Sequence, residues 1–129
     1  MKKHYSDYMG LIFEQMCREY LLRYEENLPI LLSEVGQWWG TDAKEKKEVQ
    51  IDIVGSPVEG KEYIIGSCKY KSEKIGVDEL ELLKHYATVF GQGQKYYYYI
   101  FSKSGFTSSL EESAKKDNVK LLTLKDIYR

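Results

Sequence analysis

Apolar residues recur in the chain with two different periods, and the switches between them divide it into elements. From residue 8 to 27, Met9, Ile12, Phe13, Met16, Cys17, Tyr20, Leu21 and Tyr24 follow the three-four spacing of one helical stripe. Ser6 or Asp7 is expected to cap that helix, and Pro29 stands just beyond its end. "EVGQWWG" reads as a short strand and "TDAKEKKE" as a polar turn. "KEVQIDIVG" then alternates, with Val49, Ile51 and Ile53 on one face and Gln50, Asp52 and Val54 on the other. After the turn "GSPVEG", "KEYIIGSCKY" is a third strand. Residues 34–70 therefore predict a three-stranded antiparallel meander.

The helical period returns at Val77, Leu80, Leu83, Ala87 and Phe90, and "GQGQ" ends it. "KYYYYIFSK" is apolar on both faces, as in a strand buried between helices. A short helix follows in "GFTSSLEESAKKDN", where Ser108 and Glu111 have the spacing of a capping box. "VKLLTL" is a last strand, and Thr123 with Asp126 opens a further helix. The order α-β-β-β-α-β-α-β predicts an α/β fold with a mixed central sheet flanked by helices. The chain stops at Arg129 as that last helix opens, so the expectation is one domain, 1–129, cut from the C-terminal end of a longer protein.

Composition narrows the classes. The 129 residues suit one core. At 43% hydrophobic the chain is not of disordered type, and a net charge of −1 argues against a generic basic nucleic-acid binder. No apolar run is long enough to span a membrane, and no secretory signal opens the chain. Cys17 and Cys68 form no CxxC pair and read as reduced thiols, so a cytoplasmic location is expected. His4 and His85 are isolated and receive no role. "GQGQK" lacks the rest of a phosphate loop and leads into a strand.

The candidate chemistry lies where strand three runs into Lys69. Ile65, Ser67 and Lys69 share a face, and Asp52 stands on the neighbouring strand. A carboxylate and a lysine converging there suit phosphodiester hydrolysis, the carboxylate holding Mg²⁺ and the lysine orienting water or offsetting charge. One aspartate is thin for that metal. The bland alternative pairs Asp52 with Lys69 and makes Glu14 with Arg18 an ordinary i, i+4 pair. Trp38 and Trp39 could stack on bases, but the core or a partner domain is the favoured place for them. The tyrosines 96 to 99 read as a buried strand whose hydroxyls find backbone partners. Lys44, Lys46, Lys47, Lys71 and Lys74 are either solvated turns or a rim that meets phosphates.

In combination, "YMGLIFEQMCREYL", "GQWWG", "VQIDIVG", "IIGSCKY", "YIFSKSGF" and "LLTL" resemble the PD-(D/E)XK nuclease superfamily. More closely, they resemble the uncharacterised C-terminal domain of many archaeal and bacterial AAA-type ATPases. The resemblance implies a restriction-endonuclease-like fold with Mg²⁺ or Mn²⁺ as cofactor. DNA and an upstream ATPase domain of the same polypeptide are the implied partners, and a homodimer stays open. It implies that Asp52 is the metal-binding aspartate, Lys69 the catalytic lysine and Glu14 a first-helix acid acting through water. Lys46, Lys47, Lys71 and Lys74 are the expected nucleic-acid contacts. Ser67 departs from this pattern, standing where the family has the glutamate of Gly-Glu-Cys-Lys, and Gln50 stands where many relatives carry an acid. Serine is a poor Mg²⁺ ligand, so the site is expected to be weakened or inactive. A carboxylate from Glu73, Asp78, Glu79 or Glu81 would change that, and a replacement introduced at position 67 would read the same in sequence. An active Mg²⁺-dependent DNA endonuclease and a regulatory or protein-interaction domain without catalysis are the alternatives.

Overall fold

The structure is a computed structural model that describes residues 2–128, with side chains from residue 8 onward. Its elements are α1 (Lys2–Arg23), β1 (Leu32–Asp42), β2 (Lys47–Pro57), β3 (Glu62–Lys69), α2 (Val77–Phe90), β4 (Lys95–Ser102), α3 (Ser108–Lys116), β5 (Val119–Thr123) and a single turn α4 (Leu124–Ile127). The five strands form one sheet in chain order. β1, β2 and β3 are antiparallel neighbours, and β4 and β5 join in parallel. This is the mixed α/β architecture the element order predicts, with strand order and helix pattern compatible with a restriction-endonuclease-like fold. Among the described residues, no helix is long and apolar enough to cross a membrane.

Helices cover both faces of the sheet, giving two core layers. Ile51, Val54, Ile65 and Ile100 pack with Leu80, Leu83, Ala87 and Phe90 of α2 and Leu110 of α3. Ile53, Ile64, Tyr99 and Phe101 pack on the other side with Phe13, Cys17 and Leu21 of α1 and Ile127 of α4. The predicted helix over 77–90 matches α2 end to end, because Gly91 supplies the left-handed conformation (φ 64°) that closes a helix.

Several local expectations give way. α1 starts at Lys2 rather than Tyr8 and ends at Arg23 rather than Asn27. Ser6 and Asp7 therefore lie within the helix, and the capping expected of their side chains falls outside the described residues, as does the His4 side chain. The short first strand is in fact eleven residues long. α3 is capped not by Ser108 with Glu111 but one residue earlier, where the Thr107 hydroxyl accepts from the Leu110 amide at 3.2 Å. Thr123 and Asp126 open α4 as expected, and do so as a capping box. In the tyrosine run only Tyr99 is buried. The Tyr96 hydroxyl accepts from the Gly93 amide, but the Tyr97 hydroxyl donates to the Glu62 side chain rather than to backbone.

The alternation of β2 also breaks. Gly36 pairs with Val54 and Trp38 with Ile51, so two steps along β1 oppose three along β2. That extra residue is a β-bulge at Asp52–Ile53, and it moves Ile53 from the α2 face to the α1 face. The β2–β3 ladder covers only Ile53 to Gly55. Beyond the bulge, the end of β1 and the start of β2 form a two-stranded arm.

His85, expected to be isolated, fastens this arm to α2. Its Nε2 lies 2.7 Å from Oδ2 of Asp42, whose Oδ1 accepts from the Lys44 and Glu45 amides of the turn. The hydrogen bond from His85 and the turn amides hold the Asp42 carboxyl below its ordinary 3.8. A depressed carboxyl stabilises the fold fully above its unfolded value and loses that contribution as pH falls through the folded one. Asp42→Asn is therefore expected to lower stability at pH 7, with the gap to wild type narrowing as the pH is taken below about 3.8, in urea titrations across that range.

Candidate functional site

The bulge and the short ladder open a cleft between β2 and β3. Where the ladder would continue, the Cys68 amide donates instead to Oδ2 of Asp52 at 2.9 Å. Asp52 thus replaces a strand partner and has its carboxylate fixed against β3. On the α1 side, Arg18 Nη1 donates to the Asp52 carbonyl oxygen at 3.1 Å and lies 3.7 Å from Glu14. Gln37 Nε2 donates to Glu14 Oε1 at 3.1 Å. Arg18, Glu14 and Gln37 therefore brace the bulge from behind.

The cleft has a volume of about 310 Å³ and is walled by Gln50, Asp52, Ser67 and Lys69 of the strands and by Glu79, Leu82 and Tyr86 of α2, among others. Positions 79, 82, 83 and 86 share one helical face, which is why all four line it. Glu79 sits in the first turn of α2, where the helix N-terminus favours negative charge. Its Oε2 accepts from the buried Ser67 hydroxyl at 2.7 Å, and its Oε1 lies 3.6 Å from Lys69 Nζ. A carboxylate from α2 thus reaches the space beside Ser67 where the resemblance places a strand glutamate.

Three carboxylates, Glu48, Asp52 and Glu79, face a single lysine, Lys69, in this cleft. Burial pushes the Asp52 carboxyl above its ordinary 3.8, against the Cys68 amide and the charge of Lys69, and Glu79 raises it further. Glu14 is likewise raised above 4.5, by burial and then by Asp52. The site favours added positive charge. Among the described residues, no cluster of three or more His, Cys, Asp or Glu side chains is arranged to hold a metal. Mg²⁺ does not require one, since it binds through one or two carboxylates with water and phosphate filling the rest. Asp52 and Glu79 fit that donor set.

The structure brings Asp52, Ser67 and Lys69 together as the strand pattern predicts. Glu14 stays outside the cleft, engaged with Arg18 and Gln37. Lys46, Lys47, Lys71 and Lys74 are exposed and do not line it. The loops after β3 and β4 are stitched together, with the Lys103 amide on the Lys69 carbonyl and the Ser104 hydroxyl on the Lys71 carbonyl. This adds Lys103, whose Nζ lies 4.5 Å from the centre of the Tyr70 ring, to the basic side chains near Lys69.

Comparison with known proteins bears on family and fold. Residues 1–81 match the family model DUF234, described as archaea bacterial proteins of unknown function. An uncharacterized protein of Methanocaldococcus jannaschii is 24% identical over 102 residues, a match covering 69% of this chain and 23% of that protein. The chain thus spans about a quarter of the length of that curated relative. The crystal structure of AF1548, a protein of unknown function, superposes with a TM-score of 0.54 at 17% identity, over 91% of this chain and 59% of the other.

Proposed function

The chain belongs to that family of archaeal and bacterial proteins, and on this premise we propose that it is a nuclease-like domain hydrolysing phosphodiester bonds with a divalent cation. The observation that carries the reading is the Glu79 carboxylate beside Ser67, within reach of Lys69 and in the same cleft as Asp52. It answers the weakness that Ser67 introduces, because two carboxylates and a lysine again share one site. Mg²⁺ or Mn²⁺ between Asp52 and Glu79 would supply the Lewis acidity that polarises a phosphoryl oxygen and lowers the pKa of a bound water. Asp52, fixed by the Cys68 amide, and Glu79, fixed by the Ser67 hydroxyl, would hold the cation. Lys69 would then turn from Glu79 toward the attacking water or the phosphate, offsetting charge as it develops.

The sequence resemblance supports placing this domain behind an ATPase portion of a longer polypeptide, and the 23% coverage of the M. jannaschii relative fits a domain within a larger chain. A nucleic-acid-binding module that no longer cleaves is the second reading. The Ser67 hydroxyl and Lys69 both already engaging Glu79 favour it.

The test is cleavage of plasmid and single-stranded DNA with Mg²⁺ or Mn²⁺, comparing wild type with Asp52→Ala and Lys69→Ala. Metal-dependent cleavage that both variants lose is the expected result. Cleavage at full rate in Asp52→Ala would remove the site assignment. For the rim, Lys46→Ala with Lys47→Ala is expected to weaken DNA binding and flatten its log–log salt slope by roughly 1.4 to 1.8, at about 0.7 to 0.9 for each phosphate no longer neutralised. An unchanged slope in a titration from low to high salt would make both lysines solvated turn residues.

A further inference from the structure

The two tryptophans separate in the structure. The Trp38 ring packs edge-on against Phe90 of α2, centroids 5.3 Å apart at 88°. It lies across Gly40 so closely that any side chain at position 40 would run into it. Trp39 points to the other face and is 63% exposed. It borders a shallow hollow of about 250 Å³ with Gly40, Thr41 and Glu48, and Glu48 also lines the acidic cleft, so the two concavities meet along one wall.

Exposure here does not mean a loose segment. The arm that carries Trp39 is held at one point by Trp38 on Phe90 and at another by Asp42 on His85. Asp42 also fixes the tip, with the Lys46 amide on its carbonyl and the Lys44 and Glu45 amides on its carboxylate. A large flat ring kept in water on a doubly anchored arm is preorganised to meet another flat ring.

We propose that Trp39 is a base-stacking platform for single-stranded nucleic acid, placed so that a strand in the acidic cleft continues along Glu48 onto the arm. The path of the strand rests on the phosphodiester reading of that cleft; the stacking site does not. Single strands are the ligand class because duplex bases keep their faces covered, whereas an unpaired base can lay its face on an indole. Lys44, Lys46 and Lys47 at the tip supply charge complementary to the phosphates. Glu45 and Glu48 temper that charge, so stacking carries much of the affinity on this arm.

The experiment measures anisotropy of a fluorescein-labelled 20-mer oligothymidylate, and of a labelled duplex, in EDTA with wild type, Trp39→Ala and Trp39→Phe. Trp39→Ala is expected to weaken single-strand binding roughly 5- to 150-fold, equivalent to about 1–3 kcal/mol for one base stack removed at about 1.4 kcal/mol per decade. Duplex binding should change less than about twofold, Trp39→Phe should keep most of the affinity, and the single-strand loss should persist at high salt. Wild-type affinity in Trp39→Ala, or equal losses on single strand and duplex, would overturn the proposal. So would a change in oligomeric state as the sole effect of Trp39→Ala, read by light scattering, because that would assign the indole to a protein contact. Trp39-dependent binding without cleavage by any variant would overturn the phosphodiester reading and leave the platform standing.

Discussion

Metal-dependent cleavage is expected to fall at least about a thousandfold when Glu79 becomes glutamine, and to return in part when Ser67→Glu is added to that variant. The loss follows from removing one of two carboxylates that would hold the cation, whose charge stabilisation is worth several kcal/mol, with each 1.36 kcal/mol or so being tenfold in rate. The partial return follows from geometry. Ser67 Oγ already lies 2.7 Å from Glu79 Oε2, so a longer acid on β3 enters the same small space from the strand side. With Glu79 present, Ser67→Glu should instead impair the protein, since a further carboxylate would crowd a cleft that already holds three against one lysine. The same substitution thus helps in one background and harms in the other, a coupling that a double-mutant cycle measures directly. Full activity in Glu79→Gln would show that the α2 carboxylate is an ordinary partner for Lys69.

Glu79 also marks where the sequence stops being legible. Strand and helix periods place Ser67 and Lys69 on one face and Asp52 beside them, because those are local regularities. Choosing among Glu73, Asp78, Glu79 and Glu81 needs the angle at which α2 crosses the sheet, which the intervening loop sets. The spacing 79, 82, 83, 86 was the available signal, but nothing in the sequence says that this flank of the helix borders the cleft. β1 read short because Thr41 and Asp42 at one end read as part of the polar turn and Leu32 and Ser33 at the other carry no alternation, and as an edge strand half in water it has little need of one. The bulge at Asp52–Ile53 is hidden for a different reason. Val49, Ile51 and Ile53 alternate without a break, and only pairing with β1 shows that Ile53 has changed faces. The Asp42–His85 contact joins residues 43 apart in sequence, and no local motif announces it. What escaped sequence reasoning is therefore mostly what one element does to another, and the site is made of such contacts.

Asp52→Asn is expected to yield a protein that is more stable and inactive. Burial is the largest influence on Asp52 and raises its carboxyl above 3.8, so at neutral pH the fold carries a charge that it disfavours. A carboxyl raised in the folded state strengthens the fold as pH falls through its folded value and weakens it as pH rises. Asparagine keeps an oxygen to accept from the Cys68 amide and removes the charge. Unfolding in urea should therefore show the variant above wild type at pH 7, with the difference shrinking as pH drops below the folded value of Asp52. Added Mg²⁺ or Mn²⁺ should act in the opposite sense. Wild type, whose buried carboxylates gain a counter-charge, should be stabilised by about 1.4 kcal/mol at ten times the dissociation constant, and the variant by far less. Cleavage should fall by three orders of magnitude or more, as for Glu79→Gln. A variant less stable than wild type at pH 7 would mean that Asp52 is held by favourable pairing with Lys69 and Arg18. An equal metal-induced shift in both proteins would place the cation elsewhere. If stability rises while metal response and cleavage vanish together, the cost of burying Asp52 is the cost of keeping a site ready for a cation.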